Sequence, residues 1–201
     1  NPLHTEGVVG LHGKLIKRSI ISQNNLSFEE ELKFLEDEVF MFDILAFTRS
    51  MKYVRKQLYT YNINSNQNVK SARTESFTRP FLISYFKLIK SHAQNSFRQR
   101  GLSAKESEKL GDQAFIYWII FTLVAYSLSI AKGRVDLENG VQRRRKIIDD
   151  ILADSDISKA IRNYSLSQEE SSWIPRAIAR RSRKLLESAC IRRAKEILRI
   201  K

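Results

Sequence analysis

The sequence is poor in the residues that staple, break or turn a chain. Of 201 residues, one is cysteine, three are proline and seven are glycine. A single thiol, Cys190, excludes an internal disulfide. That fits a reducing intracellular compartment, or an assembly that needs no covalent staple. Few breakers leave room for long helices. No strict apolar–polar alternation persists beyond a few residues, and no repeat period is visible. Only three histidines are present, His4, His12 and His92. There is no His-Glu-x-x-His, no cysteine pair with metal spacing and no glycine-rich phosphate loop. Arg192 and Arg193 stand near Cys190 and would lower its thiol pKa, but no partner base accompanies it. Asp149 and Asp150 are adjacent, so on a helix they point apart. The chain is therefore expected to be no enzyme and to hold no metal or cofactor. Residues 1–20 lack the uninterrupted apolar core of a signal peptide.

Positive charge is what the chain has in excess. Thirty-five Lys and Arg face 22 Asp and Glu, a formal net charge of +13. Self-repulsion of that size is relieved by an anionic partner, of which nucleic acid is the commonest and an anionic membrane the next. Hydrophobic residues make up 42% and aromatics 10%, enough for a real core.

The pattern predicts an all-α fold, a bundle of about five helices behind an extended basic N-terminal arm. Residues 1–26 read as the arm, interrupted by Gly7, Gly10 and Gly13 and made basic by Lys14, Lys17 and Arg18. Residues 27–201 read as one helical domain. The first helix is expected from Ser27, where Ser27 and Glu30 match a capping box, to about Tyr59. Its apolar face is Phe28, Leu32, Leu35, Val39, Phe42 and Ala46. Acids fill its front half; Arg49, Lys52, Arg55 and Lys56 fill its back half, complementing the helix dipole. Asn62 to Ser76 read as a polar loop. A second helix runs from near Pro80 to Gly101, and a third starts at a Ser103–Glu106 capping box. Gly133 and Asn139-Gly140 mark turns before a fourth helix over about Val141–Ala153. Asp154 to Ser167 suggest a short helical turn and a linker. The last helix is expected from near Ser172, with Pro175 in its first turn, to the C-terminus.

From Gln113 to Ala131 no residue is charged. The run is just long enough to span a membrane, with Lys132 and Arg134 behind it. Thr122, Ser127 and Ser129 dilute it, and the other helices need an apolar partner. A central core helix is therefore the preferred reading.

Three basic sets are candidate phosphate contacts. The last helix carries Arg176, Arg180, Arg181, Arg183, Lys184, Arg192, Arg193, Lys195, Arg199 and Lys201 against Glu187 and Glu196 alone. Ile178, Leu185, Leu186, Ala189, Ile197 and Ile200 fall on its other side. Arginine forks suit bidentate phosphate contact. The run Arg143, Arg144, Arg145 and Lys146 is the second set, spread around a helix start where cations oppose the dipole. Lys14, Lys17 and Arg18 of the arm are the third.

The segment Gly13-Lys14-Leu15-Ile16-Lys17-Arg18, followed by helices from Ser27 onward, resembles the coat proteins of filamentous viruses of hyperthermophilic archaea. The likeness is one of architecture and covers the whole chain. It implies a virion protein that packages double-stranded DNA as paired, homo- or hetero-oligomeric subunits. Charge does not separate DNA from RNA; double-stranded DNA is the favoured partner and RNA a possible one. The alternative reading is a helical subunit of an organellar ribosome or a membrane complex, with 113–131 as its span.

Overall fold

A helix with no charge along most of its length must be covered, and the fold is built around that need. In the computed structural model, residues 11, 13–32, 35–54, 56, 60, 82–133, 136–166 and 173–199 are described. They form α1 (Arg18–Gln23), α2 (Glu36–Phe47), α3 (Leu82–Gln99), α4 (Ala104–Ala131), α5 (Leu137–Ala153), α6 (Ser155–Ala160), a 3-10 turn (Ile161–Asn163), α7 (Trp173–Ala179) and α8 (Arg183–Arg199). The protein is all-α, with no strand among the described residues. Among the described residues eight α-helices stand where about five were expected, because the last expected helix is split in two, the 154–163 stretch is itself helical and the expected arm holds α1.

α4 begins as expected. Glu106 N donates to Ser103 Oγ at 3.3 Å, and Ser103 N donates to Glu106 Oε2 at 3.1 Å. The reciprocal pair satisfies two donors that the helix start leaves free. The apolar run 113–131 is the body of α4 and the centre of the core. Phe115, Ile116 and Ile119 are completely buried, Leu123 and Tyr126 nearly so. α3 packs along α4 most extensively, α8 next, then α5, α6 and the 3-10 turn. α3 contributes Phe86, Ile89 and Ala93 to this core, α5 Ile148 and Ile151, and α8 Leu186 and Cys190. Each large apolar side chain buried this way contributes about 1.5–3 kcal/mol before chain entropy is counted.

The first helix departs from expectation. Ser27 and Glu30 lie in irregular backbone, and α2 starts at Glu36 behind Leu35, which holds a left-handed φ of 68°. The reason is long-range packing. Phe28 stacks on Phe40 with centroids 4.2 Å apart. In one helix these residues would lie about 18 Å apart, so the chain must reverse between them. Leu32, Leu35, Val39 and Phe42 of the expected face are buried nonetheless, while Phe28 is exposed and Ala46 half-buried, and only the part from Glu36 on is helical. Glu36, Asp37 and Glu38 now fill the first turn, where the dipole favours them. α2 ends at Phe47. Arg100 Nη1 donates to the carbonyls of Leu45 at 2.8 Å and Thr48 at 3.0 Å, closing its C-terminus. Arg49, Lys52 and Lys56 are therefore not helical; Arg55 lies outside the described residues.

Two further boundaries move. Asn139-Gly140 is no turn: Asp136 caps α5 by accepting from Asn139 N at 2.9 Å, and both residues sit in its first turns. The last helix is interrupted between α7 and α8, where Arg181 has φ 50°. Gly101, expected to end α3, does so at φ 86°. The segment expected as an arm is seated on the core between Gly13 and Leu26, with Ile16, Ile20, Ile21 and Leu26 packed against it. Pro80, residues 1–10 and the expected loop 62–76 lie outside the described residues.

Polar side chains of α3 fasten its neighbours. Lys90 Nζ meets Asp112 Oδ1 at 2.6 Å, and Asn163 Nδ2 donates to Asp112 Oδ2 at 2.7 Å. His92 Nδ1 lies 2.8 Å from Asp43 Oδ1, joining α3 to α2. Asp112 is almost fully buried. Removing it strands the partly buried Lys90 ammonium and takes the acceptor from the Asn163 amide, so Asp112→Ala should destabilise the fold by about 3 kcal/mol. Urea unfolding measures this; a change below about 0.5 kcal/mol would refute the network's role. The hydrogen bond to Asp43 raises the pKa of His92, helped by the charges of Asp43 and Glu29 and opposed by burial. A raised folded pKa contributes stability that is complete below about pH 6.5 and lost as pH climbs through the folded value. The melting temperature should therefore fall across that alkaline step, and Asp43→Asn should flatten it. An unchanged pH profile in Asp43→Asn would contradict the assignment.

Candidate nucleic-acid interface

α5 and α8 lie side by side, and their packing decides which basic residues face outward. The buried face of α8 is Leu186, Ala189, Cys190 and Ala194. At about 100° per residue, Lys184, Ser188, Ile191, Arg192, Lys195 and Arg199 fall within one stripe on the opposite side. With Val141, Arg144 and Arg145 of α5 they line an open groove of about 820 Å³. Six cations line it against two carboxylates, Glu187 and Glu196.

Both carboxylates are already engaged. Glu187 Oε1 accepts from Arg144 Nη2 at 3.0 Å and Arg145 Nε at 3.2 Å. Burial pushes the Glu187 carboxyl up, but the two arginines more than offset this and hold it below its usual range. Glu196 Oε2 accepts from Arg193 Nη1 at 3.3 Å, one turn along the helix. Lys184, Arg192, Lys195 and Arg199 have no carboxylate partner among the described residues. Arg192 lies over the indole of Trp173, 5.9 Å from the ring centroid. Trp173 opens α7 and is half exposed.

The candidate residues thus divide. Lys184, Arg192, Lys195, Arg199 and Arg145 are brought together in the groove. Arg144 also lines it, but as a floor: it is 4% exposed and locked to Glu187, so it serves the fold rather than a ligand. The run Arg143–Lys146 opens no helix, since α5 starts at Leu137; its cations lie beyond the first turn, where the dipole hardly penalises them. Arg143 and Lys146 are exposed on other sides of α5. Arg181 is committed as well. Its Nε and Nη2 donate to the Leu152 carbonyl at 3.1 and 2.8 Å, near the end of α5. Arg183 pairs with Asp149 at 3.3 Å on the surface. Arg176 and Arg180 are exposed on and just after α7, away from the groove lining. Lys17 and Arg18 are exposed at the start of α1. Lys14 is half-buried near Glu38 and Asp37, with its pKa lowered chiefly by burial. Lys201 lies outside the described residues.

Cys190 corrects another expectation. It is fully buried, and burial pushes its thiol up to about 12, despite the nearby Arg144. Arg192 and Arg193 do not activate it. Reading the sequence missed Trp173 and the anchoring role of Glu187. The steps of four, four, three and four along 184–188–192–195–199 would have found the groove ridge, had the break at Arg181 been known.

Compared with known family models, curated proteins and solved structures, the chain matches none.

The division of labour is testable. Arg144→Met leaves Glu187 partly buried with only the exposed Arg145 as partner, and should destabilise the protein by about 3 kcal/mol. Lys184→Ala should change stability by less than about 0.5 kcal/mol. Equal effects of the two substitutions in urea unfolding would contradict the floor-and-ridge assignment.

Proposed function

We propose that this chain is a structural nucleic-acid-binding protein that holds double-stranded DNA through backbone phosphates, without reading sequence. The observation that carries the reading is the α8 ridge. Lys184, Arg192, Lys195 and Arg199 are spread over about 22 Å of helix, face outward, and have no carboxylate partner among the described residues. Duplex DNA presents one charge per roughly 1.7 Å of axis, so a ridge of that length meets several phosphates. Arg145 on α5 adds a cation across the groove, and Trp173 limits the freedom of Arg192. Lys and Arg contacts to phosphate fix position and orientation and carry no base information.

The packaging role we propose is that of a coat subunit of a virion, assembled with its own or homologous copies, as the sequence's resemblance to archaeal filamentous-virus coat proteins implies. RNA presents the same phosphates, and the same groove chemistry would accept it.

The test is a salt titration of a 30-bp duplex against the full chain and against a variant with Lys184, Arg192, Lys195 and Arg199 all changed to Gln. Four phosphate contacts correspond to a slope of about −3.6 in log affinity against log salt, or roughly 100-fold weaker binding between 50 and 200 mM. The variant's slope should be shallower by about that amount. Equal slopes for the two proteins would end the proposal; tighter binding of an RNA duplex would reassign the ligand.

A further inference from the structure

The most one-sided charge in the chain lies outside the groove. Residues 44–105 contain twelve Lys and Arg against one carboxylate, Glu75, a net charge of +11. Residues 1–43 are net −4 and residues 106–201 net +6. Most of the excess charge is thus carried by less than a third of the chain.

Three of these cations have structural work. Lys87 bridges Asp154 and Asp156, each at 2.8 Å. Lys90 pairs with Asp112, and Arg100 closes the end of α2. Arg49, Lys52, Lys56, Arg98 and Lys105 are exposed, and none pairs with a carboxylate among the described residues. The Arg100 contacts bring the start of the 48–54 segment to the end of α3. By holding the Leu45 and Thr48 carbonyls, Arg100 fixes the chain leaving α2 at the corner where α3 ends and α4 begins. Arg98 and Lys105 flank that corner in sequence. Residues 48–54 then run without helix or strand, and 49–54 are exposed throughout. Met51 is 69%, Tyr53 84% and Val54 50% exposed, so these side chains contribute little to the core.

The helix dipole accounts for Arg98, which sits in the last turn of α3. It does not account for Arg49, Lys52 and Lys56, which lie in irregular backbone. We propose that residues 49–54 and Lys56, with Arg98 and Lys105, form a second surface for nucleic-acid backbone, separate from the α5–α8 groove. The inference rests on the nucleic-acid reading above. Cations there supply phosphate contacts, and Tyr53 lies among them as an aromatic face against sugar or an unstacked base. Anionic lipid would also attract basic and aromatic side chains. One tyrosine and two aliphatic residues make a small apolar wedge, however, and the dominant feature is charge.

The two surfaces are far apart. Arg143 and Arg144 act on the Tyr126 hydroxyl, and Ile147 packs against Tyr126 and Ile130, so α5 stands by that part of α4. The second surface adjoins Lys105. Twenty-one residues of α4 separate them, or about 32 Å. A long polyanion that touches both gains avidity without tighter contact at either.

The experiment uses the full chain with Arg49, Lys52 and Lys56 changed to Gln, alongside the groove variant. The probes are a 30-bp duplex and vesicles of phosphatidylserine and phosphatidylcholine. In parallel, the unsubstituted protein is cross-linked to the duplex by ultraviolet light, and the linked peptides are identified. The salt slope of the triple variant should be shallower by about 2.7. The groove variant should retain weaker, salt-sensitive binding, and a peptide containing Tyr53 should carry cross-linked nucleotide. A wild-type slope in the triple variant, with no cross-link in residues 49–56, overturns this surface while leaving the groove in place. Loss of vesicle binding with unchanged duplex binding also overturns it, in favour of lipid. If the unsubstituted chain binds no duplex at low salt, the underlying reading fails and this one with it. The cross-link reads the surface in the unsubstituted chain, so it stands even where the triple variant does not fold.

Discussion

Covering α4 is the constraint from which the rest of the architecture follows. Nineteen consecutive uncharged residues in one helix cannot be left in water, so α3, α5 and α8 each present an apolar face to it or to one another. An amphipathic helix that gives up one face to the core must place its charge on the other. α8 does this most completely: Leu186, Ala189, Cys190 and Ala194 face inward, and the cations from Lys184 to Arg199 stand on the far side. The basic ridge is thus a geometric consequence of the buried helix.

Charge that enters the interior is tied down. Arg144 meets Glu187, Lys90 meets Asp112, and His92 meets Asp43. Such pairs add little net stability compared with apolar residues of the same size, but losing one partner is costly, so they fix how helices meet. Arg100 and Arg181 do similar work at helix ends by binding carbonyls. What remains after this accounting is a smaller set of exposed cations without carboxylate partners among the described residues. Those that line the α5–α8 groove repel one another and would be relieved by an external polyanion. The proposed interface rests on that residue of charge rather than on the total of +13.

Local signals in the sequence were readable where the chain decides its structure locally. Ser103 and Glu106 cap α4 because both partners lie within one turn, and Gly101 ends α3 because its left-handed φ needs no side-chain accommodation. The same capping pattern at Ser27 and Glu30 starts no helix: Phe28 stacks on Phe40, a contact that one continuous helix does not allow. The break at Arg181 was invisible for a similar reason: its guanidinium is held by a carbonyl of α5, 29 residues away in sequence. The candidate site was legible in composition and only partly in position. The last helix's excess of cations was plain, but not which four share the ridge, and nothing local distinguished buried Arg144 from its exposed neighbours in the Arg143–Lys146 run. The basic ribbon after α2 was masked by an acidic first half that suggested one dipole-matched helix.

The central claim is that the outward stripe of α8 is where a polyanion sits. Lysine-reactivity footprinting of the folded chain, with and without bound duplex DNA, tests it most directly. Lys184 and Lys195 should be protected by the duplex, while Lys159, exposed on α6 and outside the groove lining, should keep its reactivity. Protection of Lys159 equal to that of Lys184 and Lys195, or no protection of either groove lysine at saturating duplex, would contradict the account.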